Sequence, residues 1–208
     1  MTLSRAQMTV AVGLAVLAGF GIWRALFSNW PITNHPPRGT NIVALGDSLT
    51  EGVGAPAGQG YVDVLSRLAG QPILNRGVGG DTTGDALQRL ERDVLQADPR
   101  IVIVLLGGND LLQQRPASEI LDNLEKIIAA IHSRGAMVVL VGVQSPLFGG
   151  GLGRQLKALA RRTGCVYVPN VLKGILGNRR LMADQIHPNA GGYQLIAERV
   201  FEALRPYL

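Results

Sequence analysis

The sequence predicts an α/β fold, a three-layer α/β/α sandwich around a five-stranded parallel sheet, and three observations predict it. Five short apolar runs, at 41–45, 72–75, 101–106, 137–141 and 166–168, lack the polar alternation of a strand with one wet face. Amphipathic stretches separate them, at 61–69, 84–96, 118–134 and 154–163, and a last helix is expected over 189–204. A chain of 208 residues that is 47% hydrophobic and 17% charged can bury one sizeable core, which excludes wholesale disorder and a polytopic membrane protein.

The elements follow in chain order. Residues 6–23 run for eighteen positions without a charge between Arg5 and Arg24, a length that just spans a bilayer as a helix. Residues 1–28 are therefore expected to be a membrane anchor or a signal segment. An uncleaved hydrophobic helix is favoured, because the small-x-small site Val16-Leu17-Ala18 lies inside the apolar run and not after it. Trp23, Phe27 and Trp30 sit at its carboxyl end, as side chains of the headgroup zone do. The expected location is the bacterial cell envelope, with the body exported and tied to the membrane; cleavage and release is the alternative. Residues 29–39, rich in Pro and Asn, read as a tether, so the folded body is expected over 40–208. Within it, strand exits after Leu45, Asn75, Leu106, Val141 and Val168 are where a parallel sheet places its chemistry.

Four of those exits carry unusual residues. After the first strand, Gly46-Asp47-Ser48-Leu49 presents a serine at a sharp turn that glycine permits; alone, the same letters describe a helix N-cap. After the second, 75–82 (NRGVGGDT) has glycines that let a backbone N–H approach a reacting carbonyl. After the third, Gly107-Gly108-Asn109-Asp110 offers the side-chain amide of Asn109. Near the carboxyl end, Asp184 precedes His187 by three residues, close enough for the carboxylate to accept the Nδ1 proton and orient the imidazole as a general base.

These four blocks, in this order, resemble those of the SGNH (GDSL) hydrolase family over residues 41–208. The nearest likeness is to its bacterial thioesterase I and lysophospholipase branch, through ALGDSLTEG, NRGVGGDTT, VLLGGND and IHPNAGGY. The resemblance implies a flavodoxin-like sheet and a serine esterase with Ser48 as nucleophile, His187 as base and Asp184 as its orienting acid. It further implies oxyanion donors at Ser48 N–H, Gly80 N–H and Asn109. Gly79 stays open as the alternative to Gly80. The expected activity is hydrolysis of carboxylic ester or thioester bonds in small or lipid acyl substrates. Carbohydrate O-acetylesterase activity is the alternative, and a non-enzymatic flavodoxin-like nucleotide-binding domain the more distant one.

No cofactor and no metal are expected. Cys165 is the single cysteine, and His35, His132 and His187 are not spaced as zinc ligands. The formal net charge is +5, and the span between Glu125 and Asp184 holds nine basic residues and no acidic one. That span reads as a solvated basic face or as attraction to anionic headgroups; no nucleic-acid motif accompanies it, and nucleic acid is not expected as a partner. A monomer is expected. Leu147 and Phe148, beside the glycine-rich stretch 149–153, are expected to be substrate contacts at a mobile lip, although a plain flexible connection would read the same way.

Overall fold

The computed structural model describes residues 30–143 and 151–208. The expected segment at 6–23 and the expected contacts Leu147 and Phe148 lie outside the described residues. Strands β1 (Asn41–Gly46), β2 (Ile73–Gly77), β3 (Pro99–Leu105), β4 (Met137–Val141) and β5 (Val166–Val168) pair in the order β2-β1-β3-β4-β5, every pair parallel. The helices are α1 (Ser48–Glu51), α2 (Tyr61–Ala69), α3 (Thr83–Asp93), α4 (Gly108–Leu112), α5 (Ala117–Ser133), α6 (Leu152–Thr163) and α7 (Ala190–Leu204).

The unalternating strands have the physical cause that the pattern implied. Ile42, Ala44, Ile101, Ile103, Met137 and Val139 pack in one cluster with Tyr61 and Leu65 of α2 and Tyr193, Ile196 and Val200 of α7. Their neighbours Val43, Leu45, Val102, Val104, Val138 and Leu140 pack in the other, with Leu90 of α3, Ile120, Leu124 and Ile127 of α5, and Leu156 and Leu159 of α6. Successive side chains point to opposite faces, so a sheet covered on both sides needs apolar residues at every position. Each such side chain contributes about 1.5–3 kcal/mol of transfer free energy.

The chain leaves β1 for β2 on one side and crosses back to β3 on the other. The order therefore reverses between β1 and β3, and the loops leaving those two strands diverge into a crevice at the carboxyl edge. Both loops hold a short helix, α1 and α4, where strand exits alone were expected; four or five residues are too few to show a period. Boundaries also differ: β3 opens at Pro99 and α6 at Leu152, each two residues before the expected start. β2 runs on to Gly77, two residues past the expected end, and the helix expected over 84–96 closes at Asp93, followed by a 3-10 turn at Leu95–Ala97.

The expected tether at 29–39 is corrected from Trp30 onward: this stretch is bound to the body. Trp30 donates Nε1–H to the Cys165 carbonyl at 3.0 Å and packs against the second core cluster, so it is not a headgroup side chain. Thr33 donates its N–H to the Gly164 carbonyl at 2.9 Å and its hydroxyl to that of Thr163 at 3.0 Å. The Asn34 amide donates to the carbonyls of His132 (2.9 Å) and Ala136 (3.0 Å), and Arg38 N–H donates to that of Gly135 at 2.9 Å. The acceptors lie at the carboxyl ends of α5 and α6, where the last turn of a helix leaves carbonyls without partners. The polar residues that read as linker composition are donors for those carbonyls. Among the described residues no helix is long and apolar enough to cross a membrane.

Asn34→Ala removes two hydrogen bonds from a residue whose φ of 59° already disfavours alanine. The expected cost is about 2 kcal/mol, read as a fall in Tm of roughly 4–8 °C by thermal denaturation. An unchanged Tm would mean that the segment is held by packing alone.

Candidate active site

Ser48 is the first residue of α1. Asp47 caps that turn, its carboxylate accepting the Leu49 N–H at 3.0 Å, and Gly52 closes it with a left-handed φ of 101°. Two glycines allow so short a connection. A Cβ on Gly46 would lie 2.0 Å from Thr50 Oγ1 and 2.6 Å from the Leu105 carbonyl, and one on Gly77 would lie 2.1 Å from the Glu51 nitrogen. The exit of β1 is thus pressed between β3 and the end of β2, and any side chain there would push Ser48 out of place.

His187 comes from the loop before α7. Met182 and Pro188 form an antiparallel bridge, and the Ala183 N–H donates to the His187 carbonyl at 2.9 Å, so the loop folds back on itself. Inside it, Asp184 Oδ1 accepts the N–H groups of Ile186 (2.8 Å) and His187 (2.7 Å), while Oδ2 lies 2.7 Å from His187 Nδ1. On the far side of the ring, Nε2 lies 3.1 Å from Ser48 Oγ. With the Nδ1 proton donated to Asp184, Nε2 presents a lone pair to the Ser48 hydroxyl. The structure therefore brings Ser48 to the Asp184–His187 pair across 139 residues of sequence through one hydrogen bond.

The two acidic groups of the site stand in opposite environments. Asp184 is 53% exposed, and its hydrogen bonds from the His187 ring and from the main-chain N–H groups of His187 and Ile186 hold its pKa down to about 2. Asp47 is 3% exposed, and burial pushes its pKa up to about 6, against the hydrogen bond from Leu49.

Of the other expected residues, Asn109 lines the same crevice. Asn109, in the first turn of α4, donates Nδ2–H to the Asp81 carbonyl at 2.9 Å. Its neighbour Asp110 is buried and accepts the Thr83 N–H (2.9 Å) and hydroxyl (2.6 Å), joining α4 to the start of α3. Gly79 N–H is donated to Glu51 at 2.7 Å. Gly80 has φ 86°, no atom within 4 Å of where a Cβ would be, and no acceptor for its N–H among the described residues.

Beside Ser48 and His187 an apolar cleft is walled by Leu49, Leu112, Val143, Leu172, Leu176 and Ile186. Leu112 and Ile186 are 51% and 41% exposed at its rim. Sequence reasoning missed these walls; the available signal was a leucine pair directly after Gly-Asn-Asp and an isoleucine directly before His187. Among the described residues no cluster of His, Cys, Asp and Glu could hold a metal ion.

The raised Asp47 sets a pH dependence. An aspartate whose folded pKa exceeds its unfolded value of about 3.9 keeps its proton longer in the folded chain. Its ionisation therefore erodes stability as the pH rises from about 4 to 6, and the loss persists above that range. Asp47→Asn retains an acceptor for the Leu49 N–H and removes the charge. Its stability relative to wild type should climb between about pH 4 and pH 7, by at most about 3 kcal/mol. Denaturant melts at a series of pH values measure the difference, and one that stayed flat would show that Asp47 is solvated when ionised.

Comparison with known proteins gives this crevice a family. The model of the GDSL-like Lipase/Acylhydrolase family matches residues 44–195, which include every residue of the crevice. Esterase TesA of Pseudomonas aeruginosa is 32% identical over 180 residues, covering 80% of this chain and 89% of that protein. Thioesterase 1/protease 1/lysophospholipase L1 of Escherichia coli K12 is 27% identical over 173 residues, covering 79% and 83%. The crystal structure of TesA superposes with a TM-score of 0.76 at 30% identity, covering 81% of this chain and all of that one. The chain belongs to the GDSL-like lipase/acylhydrolase family, with the SGNH hydrolase fold, and is an ester-hydrolysing enzyme.

Proposed function

We propose that the chain hydrolyses acyl esters or thioesters of amphiphilic substrates through an acyl-enzyme on Ser48. The observation that carries this reading is the run of contacts Asp184–His187–Ser48, at 2.7 and 3.1 Å, opening on an apolar cleft. Ser48 Oγ attacks the carbonyl carbon as His187 Nε2 takes its proton. The oxyanion that forms is held by the N–H groups of Ser48 and Gly80 and by the Asn109 amide. Gly80 is preferred to Gly79 because the Gly79 N–H is already donated to Glu51. Collapse breaks the bond to the leaving alcohol or thiol, which departs with the proton from His187. Water then attacks the acyl carbon, His187 again takes and returns a proton, and the acid is released with Ser48 restored. Asp184, ionised far below neutral pH, stabilises the transient imidazolium.

The apolar walls support an acyl chain as the group bound beside Ser48. Its contribution should be about 0.8 kcal/mol per buried CH₂, so kcat/KM is expected to rise with acyl length to a medium chain and then level off. A series of p-nitrophenyl esters measures this; a sharp acetyl optimum with no gain from longer chains would favour an O-acetylesterase. In the same assay Ser48→Ala and His187→Ala should each abolish nearly all turnover, and the double variant should lose little more. A fluorophosphonate should label the wild type at Ser48, whereas a folded but unlabelled protein would refute the mechanism. Asn109→Ala should lower kcat by about 10²–10³-fold.

Residues 6–23 support attachment to the envelope membrane, and so does the outer face of α6, which carries Arg154, Lys157 and Arg161. The full-length protein should sediment with membranes and resist carbonate extraction. A soluble mature form beginning near Gly19 would establish cleavage.

A further inference from the structure

We propose that Arg89, on α3 and away from the apolar cleft, is a positioning residue of the hydrolysis, its guanidinium holding in register the three chain segments that present the oxyanion donors. The inference rests on the proposed roles of Ser48, Gly80 and Asn109. Arg89 Nη2 donates to the Gly46 carbonyl at 3.1 Å, two residues before Ser48, and to the Arg76 carbonyl at 2.9 Å, near the end of β2. Nε donates to Asp81 Oδ2 at 2.6 Å, and Nη1 to Asp93 Oδ2 at 3.2 Å. The side chain is 10% exposed, so these bonds are made largely out of water, where ionised partners are held most firmly.

Each donor is reached by a short covalent or hydrogen-bonded path. Ser48 follows Gly46 by two residues in the one-turn exit of β1. Gly80 is bonded directly to Asp81, whose carboxylate Arg89 grips. Asn109 is aimed by the Asp81 carbonyl, which accepts one of its two amide hydrogens at 2.9 Å and leaves the other for a ligand. The turn at Gly80 has a left-handed φ of 86°, no packing on the side where a Cβ would stand, and one closing hydrogen bond, from the Asp81 N–H to the Val78 carbonyl at 3.2 Å, so its position depends on where Asp81 is held. Asp81 is 9% exposed; without Arg89 its carboxylate would have to leave this buried place for water, carrying its carbonyl and the Asn109 amide with it. The planar fork reaches both strand carbonyls through Nη2 while Nε and Nη1 hold Asp81 and Asp93, a set of four acceptors that a single ammonium with three donors cannot match.

The experiment compares Arg89→Lys, Asp81→Asn and the double variant in the full-length chain, with active sites counted by the stoichiometry of fluorophosphonate labelling and folding checked by thermal melts. Each single variant should lose about 10–10²-fold in kcat per active site while KM moves by less than roughly threefold, the signature of interactions made in the transition state. The double variant should lose no more than the worse single one, because both disrupt one linkage. In Arg89→Ala, added guanidinium should restore part of kcat without changing KM. Unchanged kcat per labelled site with a lowered Tm would overturn the proposal and leave Arg89 a stabilising residue only; additive losses would overturn the shared linkage. Undiminished turnover in Ser48→Ala would remove the acyl-enzyme reading itself, and this proposal with it.

Discussion

A parallel sheet buried on both faces leaves its strands no polar side chains to spend on chemistry. In this protein Ile42 and Ala44 serve one layer while Val43 and Leu45 serve the other, and the same division runs through β3 and β4. Function is thereby confined to the carboxyl edge, where the backbone first escapes the core. The reversal of strand order between β1 and β3 opens a crevice at that edge, and the first turn beyond each of these two strands supplies Ser48 and Asn109. Gly46 and Gly77 are places where that geometry allows no side chain, because the ends of β1, β2 and β3 and the turn after β1 converge there.

The crevice separates its charges by environment. Asp184 sits in the open, held ionised by three hydrogen bonds from its own loop, and so can partner an imidazole across the whole neutral range. Asp47, one residue from the nucleophile, is buried as a cap and pushed the other way. A third aspartate, Asp81, is buried as well but is met by Arg89, which also takes main-chain carbonyls from β1 and β2. The same residue type thus serves as partner of an imidazole, helix cap and hub of a polar network, and only the surroundings differ.

The stretch from Trp30 to Arg38 shows a related economy. Helices α5 and α6 end at the amino edge of the sheet, and Thr33, Asn34 and Arg38 donate to carbonyls in and just past their last turns. The folded body accordingly includes the residues from Trp30 onward, ahead of its first strand.

Much of this was legible in the residues alone. The unalternating runs of Val, Ile and Leu could only be strands covered twice, and a chain of this length with one core admits few arrangements of five of them. The four blocks at strand exits identified Ser48, Asn109, Asp184 and His187 individually, because serine, amide, carboxylate and imidazole at such exits are chemically conspicuous. Their meeting was not legible: Ser48 and His187 are 139 residues apart, and the 3.1 Å between Oγ and Nε2 follows from how α7 packs on the sheet. Nor was the hydrogen bond from the Gly79 N–H to Glu51, at another strand exit. The cleft walls, the docking of Trp30 to Arg38 and the grip of Arg89 on Asp81 share that origin. Each joins residues whose side chains are ordinary in sequence, since a leucine, an asparagine or an arginine takes its role from the partner that only folding brings within reach. Periodicity and local chemistry are written along the chain, whereas proximity across it is a product of the tertiary structure.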